Sequence, residues 1–251
     1  MLEQMSALEI ALITVILVLA GMTKGVLGVG LPLIAVPLLS QIVPVPLAIM
    51  TLSISQVLSN GYQAFQGRSL RAVLRRFWTL FLPLVAALFA GVRLLIDLDA
   101  RMLGFILGTL LLVFTALSRF PRLLRISRSQ ERLANPLVGA CAGLVGGISS
   151  FSGPVVLMYF MALGLEQEFF ISAVSIAFLL GALPLVISLT LYGAMGRDEF
   201  ILSGLSAIPV FGGLLVGQVI RTHMPQELFR KGLLVILLAS GASLVLRAML
   251  A

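Results

Sequence analysis

The chain has 251 residues, 60% of them hydrophobic and 11% charged, with a mean hydropathy of +1.14. A soluble domain is nearer a quarter charged, so the composition excludes an ordinary soluble protein and indicates a polytopic membrane protein with almost no chain left for a soluble domain. The net charge of +7 does not imply nucleic acid: basic residues in short loops of a membrane protein report orientation, and no aromatic stacking platform is interleaved with them.

Cys141 is the only cysteine, so an internal disulfide and a cysteine metal cluster are excluded, and the residue reads as a small packing group. The first residues, MLEQMSALEIALITV, carry Glu3 and Glu9 and no early Lys or Arg. They lack the basic region of a cleaved signal peptide, so the segment is expected to stay attached and enter the membrane directly.

The first apolar leg runs from 7 to about 23 and leads into AGMTKGVLGVGLPLIAVPLL at 20–39. Gly21, Gly25, Gly28, Gly30 and Pro32 fall within twelve positions. Glycine costs roughly 1 kcal/mol and proline roughly 3 in a helix interior, so the helix is expected to break near Gly28–Pro32. A second leg continues from Pro32 to about Val43. The two legs read as a hairpin of half-length or slightly short helices, since a full span needs roughly 20 apolar residues. Backbone groups freed by a break in lipid are tolerated only where protein or a water-filled cavity covers them, so the break is a functional signal.

Pro44 and Pro46 end the hairpin, and 47–66 reads as a full span. The segment 67–77, GRSLRAVLRRF, reads as a basic loop or interfacial turn, with Trp78 placed as an aromatic-belt residue. Spans at 78–92 and 102–118 follow, then the polar stretch 119–134, RFPRLLRISRSQERLA. The division is thus a first transmembrane repeat at 1–118, a basic cytoplasmic linker at 119–134 and a second repeat at 135–251.

The second repeat opens with AGLVGGISSFSGPVVLMYFM at 142–161. At a shift of 122 positions Gly21 falls on Gly143, Gly25 on Gly147, Gly30 on Ser152 and Pro32 on Pro154. Pro83 and Gly91 fall on Pro209 and Gly217 at 126. A broken hairpin at about 136–163 and spans at about 169–192, 201–220 and 232–249 complete the plan. Paired Gly/Pro-interrupted segments in matching halves point to a transporter's binding site. The fold class is therefore an all-α polytopic membrane protein of two inverted repeats, each a broken helical hairpin plus three transmembrane helices.

Inversion follows from the basic residues. Each half crosses the membrane an odd number of times if its hairpin returns to its starting side. With 67–77 inside, the inside loops hold Arg68, Arg71, Arg75, Arg76, Arg119, Arg122, Arg125, Arg128, Arg132, Arg221, Arg230 and Lys231, which is twelve of the seventeen. Arg93, Arg101, Arg197 and Arg247 lie outside, and Lys24 lies in the hairpin. That bias puts both termini outside.

Helix N-termini bind anions through free N–H groups and roughly half a positive charge. The second legs begin just past Gly28 and Gly30, and near Gly153, and are expected to point at a shared site near the midplane. Hydroxyls and amides near that depth are the candidate ligands: Ser53, Ser55 and Gln56 on the span after the first hairpin, and Ser149, Ser150 and Ser152 in the second break, with Thr51, Asn60, Ser172 and Ser175 beside them. Each is also a residue type that merely mediates helix packing. Lys24 is the one charge in a break, read either as an anion attractor or as a snorkelling or packing side chain. Of the acidic residues only Glu9 falls inside a predicted leg, so a proton relay through a mid-membrane carboxylate is disfavoured.

Two other readings are weaker. GISSFSG could suggest an intramembrane serine hydrolase, but the only histidine, His223, lies in a predicted loop beside Pro225, and triad logic needs a base within reach. A passive anion channel would need a continuous polar lining, which these spans lack.

The block AGMTKGVLGVGLPLIAVPLL resembles the signature of the sulfite exporter TauE/SafE family, also called the toluene sulfonate uptake permease family, and 142–161 looks like that family's second repeat. The resemblance covers essentially the whole chain. It implies a bacterial inner-membrane transporter of small anions such as sulfite, sulfonates, thiosulfate or small organic acids. The positions that carry over are Lys24, Gly25, Gly28, Gly30, Pro32, Gly147, Ser152, Gly153 and Pro154. Leu31 stands where the family often has a further glycine, and SSFS replaces the second glycine-rich core. A small anion and the lipid bilayer are the expected partners, with a homodimer allowed for; no catalytic residue, metal or cofactor is expected.

Overall fold

The computed structural model describes residues 6–66, 70–117, 126–221 and 226–250. These form α1 (Ala7–Leu27), α2 (Leu31–Leu39), α3 (Val45–Gln66), α4 (Leu70–Asp97), α5 (Ala100–Leu117), α6 (Arg128–Ser149), α7 (Ser152–Ala162), α8 (Gln167–Leu191), α9 (Arg197–Arg221) and α10 (Gln226–Leu250), with no strand among the described residues. The order repeats. Ala7 and Arg128, Leu31 and Ser152, and Val45 and Gln167, which open α1 and α6, α2 and α7, and α3 and α8, stand 121 or 122 positions apart. Even the starting signals match. The Ser6 N–H donates to Glu9 Oε2 at 2.8 Å, and the Ser127 N–H donates to Gln130 Oε1 at 3.0 Å. These are capping-box contacts that satisfy orphan amides of a first turn.

The hairpins differ from the half-length legs expected. At 1.5 Å per residue the 21-residue α1 rises roughly 30 Å, the thickness of a hydrocarbon core, whereas the 9-residue α2 covers less than half of that. In the second copy α6 starts eight residues before the expected 136, inside the stretch read as linker; residues 119–125 of that stretch lie outside the described residues. The segment 67–77 is likewise no simple loop. From Leu70 onward it is helical, with Val73 and Phe77 buried and Arg71 and Arg75 exposed, and it joins the apolar part of α4 through a non-helical Phe77 (φ −109°, ψ 16°). Arginine density there hides an apolar stripe of helical period; residues 67–69 are outside the described set.

Among the described residues four helices are long and apolar enough to cross a membrane: Ala7–Leu27, Leu70–Asp97, Glu168–Leu191 and Arg197–Ile220. Of the six full spans expected, those in α4, α8 and α9 are among them. Ala100–Ala116 and Leu234–Leu250 are shorter apolar helices, and α3 is diluted by buried Thr51, Ser53, Ser55, Gln56, Ser59 and Asn60.

The helices pack as two compact units, each drawing on both halves of the chain. Unit 1 falls within Met1–Ser55, Asp99–Thr115 and Arg197–Ala251, and unit 2 within Gln56–Leu98 and Ala116–Gly196. In unit 1, α1 lies on α9. A Cβ at Gly21 would be driven into the Val210 carbonyl, one at Gly25 into that of Leu214, and one at Gly213 or Gly217 into the Val18 or Met22 carbonyl. In unit 2, α6 lies on α4 in the same way, with Gly139, Gly143 and Gly147 against the carbonyls of Leu80, Leu84 and Leu88, and Gly91 against that of Leu144. Small residues at four-residue spacing let membrane helices approach this closely. The equivalence extends to the partners: Gly143 and Leu84 correspond to Gly21 and Val210 at the same shifts of 122 and 126. The first leg of each copy is thus seated on the fourth helix of the other.

Unit 2 also closes a polar network that the sequence reading missed. Arg76 Nε and Nη2 donate to Glu131 Oε1 and Oε2 at 2.9 and 2.8 Å. The Arg76 guanidinium lies 5.1 Å from the Phe77 ring centroid and 5.6 Å from that of Phe169. The Tyr159 hydroxyl donates to Asn135 Oδ1 at 2.6 Å, and Asn135 Nδ2 donates to Thr79 Oγ1 at 2.9 Å. Glu131 is therefore a buried carboxylate inside a helix, contrary to the expectation that only Glu9 enters a leg. Its fork-to-fork pairing with Arg76 explains its tolerance, because removing one partner of such a pair leaves a buried charge and costs about 3–5 kcal/mol. Cys141 is exposed rather than packed.

The adjacent Gly212 and Gly213 separate close packing from propensity. A Cβ at Gly212 meets nothing within 4 Å, so Gly212→Ala should leave the melting temperature of the detergent-purified protein unchanged or slightly raised, alanine being up to about 1 kcal/mol the better helix former. Gly213→Ala should lower it, since overpacking typically costs about 1–3 kcal/mol.

Candidate functional site

Both hairpins break in the same manner. α1 ends with Gly28 in the left-handed region (φ 76°, ψ −8°), its N–H donating to the Lys24 carbonyl at 2.8 Å. α6 ends with Ser150 in the same region (φ 64°, ψ 10°), its N–H donating to the Gly146 carbonyl at 2.7 Å. Gly28 and Ser150 are 122 positions apart, and each is a left-handed helix cap of the ordinary kind. The chain then turns into a new helix: Gly30 (φ 104°) is the N-cap of α2, and Phe151 that of α7, neither with a side-chain hydrogen bond to the first turn. Gly21 and Gly25, by contrast, remain helical; their role is the approach to α9.

Ser150 is the only non-glycine residue with positive φ among the described residues. A left-handed conformation costs an L-residue roughly 1–2 kcal/mol, and such strain persists only where the surroundings over-determine it. Here Gln56 Nε2 of α3 donates to Ser150 Oγ at 2.8 Å in a buried setting. The preceding Ser149 donates its hydroxyl to the Val145 carbonyl at 2.6 Å and accepts the Phe151 N–H at 3.2 Å. Ser152 opens α7 between two glycines: a Cβ at Gly146 would come within 2.9 Å of the Ser152 Cβ, and one at Gly181 within 3.0 Å of its Oγ. Gly153 faces the Phe178 ring, 3.1 Å from where its Cβ would be. Unit 2 thus gathers Gln56, Ser149, Ser150, Ser152 and Gly153 around one break.

In unit 1, Lys24 sits in the last turn of α1, 3% exposed. Protein encloses it, which disfavours the snorkelling reading and suits a packing side chain as well as an anion attractor. Gly30 is buried beside Thr23, whose Cγ2 would lie 3.3 Å from an added Cβ. Ser53 and Ser55 are fully buried and meet serines of α9. Ser53 Oγ lies 3.3 Å from Ser203 Oγ, and Ser55 Oγ lies 2.7 Å from Ser206 Oγ. Ser203 also accepts the Ile54 N–H at 3.0 Å, and Ser206 donates to the Thr51 carbonyl at 2.6 Å. Ser203 and Ser206 escaped the sequence reading; their only signal is serine at i and i+3 on an apolar helix. Asn60 Nδ2 donates to the Phe178 carbonyl at 3.3 Å, and Ser175 to its own helix at Ile171.

A family model described as Sulfite exporter TauE/SafE matches residues 13–244. The chain belongs to the sulfite exporter TauE/SafE family. No curated protein and no solved structure matches it. As a TauE/SafE protein it is a membrane transporter and not an enzyme, so GISSFSG is a hairpin break and not a nucleophile turn. His223, the base that turn would have needed, lies outside the described residues.

In this TauE/SafE chain the Ser150 cap balances strain against a hydrogen bond, and two substitutions separate them. Ser150→Gly removes both, glycine adopting the left-handed region freely. Ser150→Ala removes only the bond and keeps the strain. In thermal melts Ser150→Ala should therefore be the less stable of the two by about 1 kcal/mol.

Proposed function

We propose that the protein carries small anions of the sulfite, sulfonate, thiosulfate or carboxylate type across a bacterial inner membrane by alternating access. The observation that carries this reading is the pair of equivalent helix breaks at Gly28 and Ser150, each followed by a helix whose first turn has no side-chain cap. Amides at a helix start, with the positive end of the dipole behind them, hold an oxyanion without a formal positive charge. In unit 1 the residues offered to an anion are Gly28, Gly30 and Lys24, with Ser53 and Ser55 as further hydroxyls on α3. In unit 2 they are Ser150, Ser152 and Gly153, with Ser149 and Gln56 holding the turn. The repeats are of opposite membrane orientation, and movement of the hairpins exposes the anion to one side and then the other.

The printed family name supports sulfite as the first anion to try. The test is thermal stabilisation of the purified protein by sulfite, thiosulfate, a sulfonate and a carboxylate, because a ligand that binds only the folded form raises its stability. At least one should raise the melting temperature at millimolar concentration. Lys24→Ala should raise the concentration needed for half the effect by roughly tenfold or more, the loss of one charged hydrogen bond of about 1.5–3 kcal/mol. An unchanged midpoint would remove Lys24 from the site.

Orientation follows the arginine count. It is supported by the meeting of Arg76, Glu131 and Phe169, three residues from segments that the count puts on the same side. With Cys141 replaced by serine, a cysteine added at either terminus should react with an impermeant maleimide in intact cells; reaction only after lysis would reverse the topology.

A further inference from the structure

We infer that the shared end of α4 and α6 is a docking surface for the headgroup of an anionic phospholipid. The two helices run in the same direction, since Leu80, Leu84 and Leu88 of α4 meet Gly139, Gly143 and Gly147 of α6 in that order. Their first turns therefore lie at one end of the unit, held together by the Arg76–Glu131 bridge. That bridge consumes Arg76 and Glu131 and leaves Arg71 and Arg75 on α4, and Arg128 and Arg132 on α6, all exposed. Glu166 and Glu168, exposed at the start of α8, are the carboxylates facing this end, and four arginines outnumber them.

The apolar half of the surface fits a lipid. Along α4, Leu70, Leu74, Trp78 and Leu82 follow one another at four-residue spacing and are all exposed, Trp78 by 58%. On α6, Leu133 and Leu137 are exposed next to Arg132. Arginines at one end and an apolar row running away from them match a phosphate headgroup above acyl chains. The aromatic ring between them sits where tryptophan favours the membrane interface. The chain is a membrane protein, so lipid is what covers this row. The charges choose which lipid, because basic residues at a surface attract anionic headgroups.

Trp78 is the only tryptophan, so its fluorescence reports on this surface alone. The full chain is reconstituted into vesicles of phosphatidylcholine, and quenching by brominated-chain phosphatidylglycerol is compared with quenching by brominated-chain phosphatidylcholine. Phosphatidylglycerol should quench at several-fold lower mole fraction, and the preference should shrink at high salt. Arg71→Gln with Arg75→Gln should remove most of that preference, each arginine contributing up to about 1 kcal/mol, or roughly fivefold. Arg247→Gln, an exposed arginine on α10, should leave it unchanged. Arg128→Gln with Arg132→Gln provides the same reading should the first pair fail to fold. Equal quenching by both lipids, or an undiminished preference in both double variants, would overturn the inference. Reversal of the quenching by soluble glycerol phosphate would overturn it too, by assigning the arginines to a free anion.

Discussion

Each unit depends on two helix backbones that touch. In oil, apolar side chains gain little from leaving lipid for protein, so helix association relies on contact and on backbone proximity. Gly21 and Gly25 against Gly213 and Gly217, and the row Gly139, Gly143, Gly147 against α4, remove the side chains that would hold the axes apart. The consequence reaches the helix breaks directly. Gly25 and Gly147 are each three residues before a left-handed cap, so the end of the first leg, where the chain turns, is clamped on a neighbouring helix. A break held on one side in this way lies against protein and not against lipid alone, which is the condition for breaking a helix in lipid at all.

The partner of that clamp comes from the other copy. α1 of the first repeat is seated on α9 of the second, and α6 of the second on α4 of the first, with equivalent residues in contact. A duplication in which each copy packed only on itself would yield two domains joined by a linker. Here no half of the chain can assemble its broken hairpin without a helix from the other half. The compact units are therefore mixed in sequence, and the polar segment around 119–134 is in part the first turns of α6.

The sequence made the architecture legible at the level of glycines and prolines. The break near Gly28, its echo 122 positions on and the order of spans could be read because backbone conformation leaves strong marks. The density of glycine was only half understood. Gly28 and Gly30 break the helix, while Gly21 and Gly25 stay inside it and exist for contact, a distinction that needs the neighbour α9 to be visible. Residues 70–77 and 128–134 were hidden by their arginines, since the apolar stripe Leu70, Val73, Leu74, Phe77 is short and helix starts beyond the apolar core look like loops. The α3 serines were singled out for their polarity, but the sequence holds no sign that Ser203 and Ser206 take up Ser53 and Ser55, whereas Gln56 reaches the second break.

One asymmetry between the copies has a steric cause. Lys24 corresponds to Gly146, and Gly30 corresponds to Ser152. In the second copy Ser152 stands so close to Gly146 that a Cβ there would come within 2.9 Å of the serine's own Cβ. A lysine at 146 has no room. In the first copy the residue that would crowd position 24 is Gly30, which has no side chain and whose φ of 104° would strain any other residue. The two positions have traded volume: a long cation with a glycine in one break, a glycine with a hydroxyl in the other. A charge can therefore be lodged in only one of two otherwise matching turns.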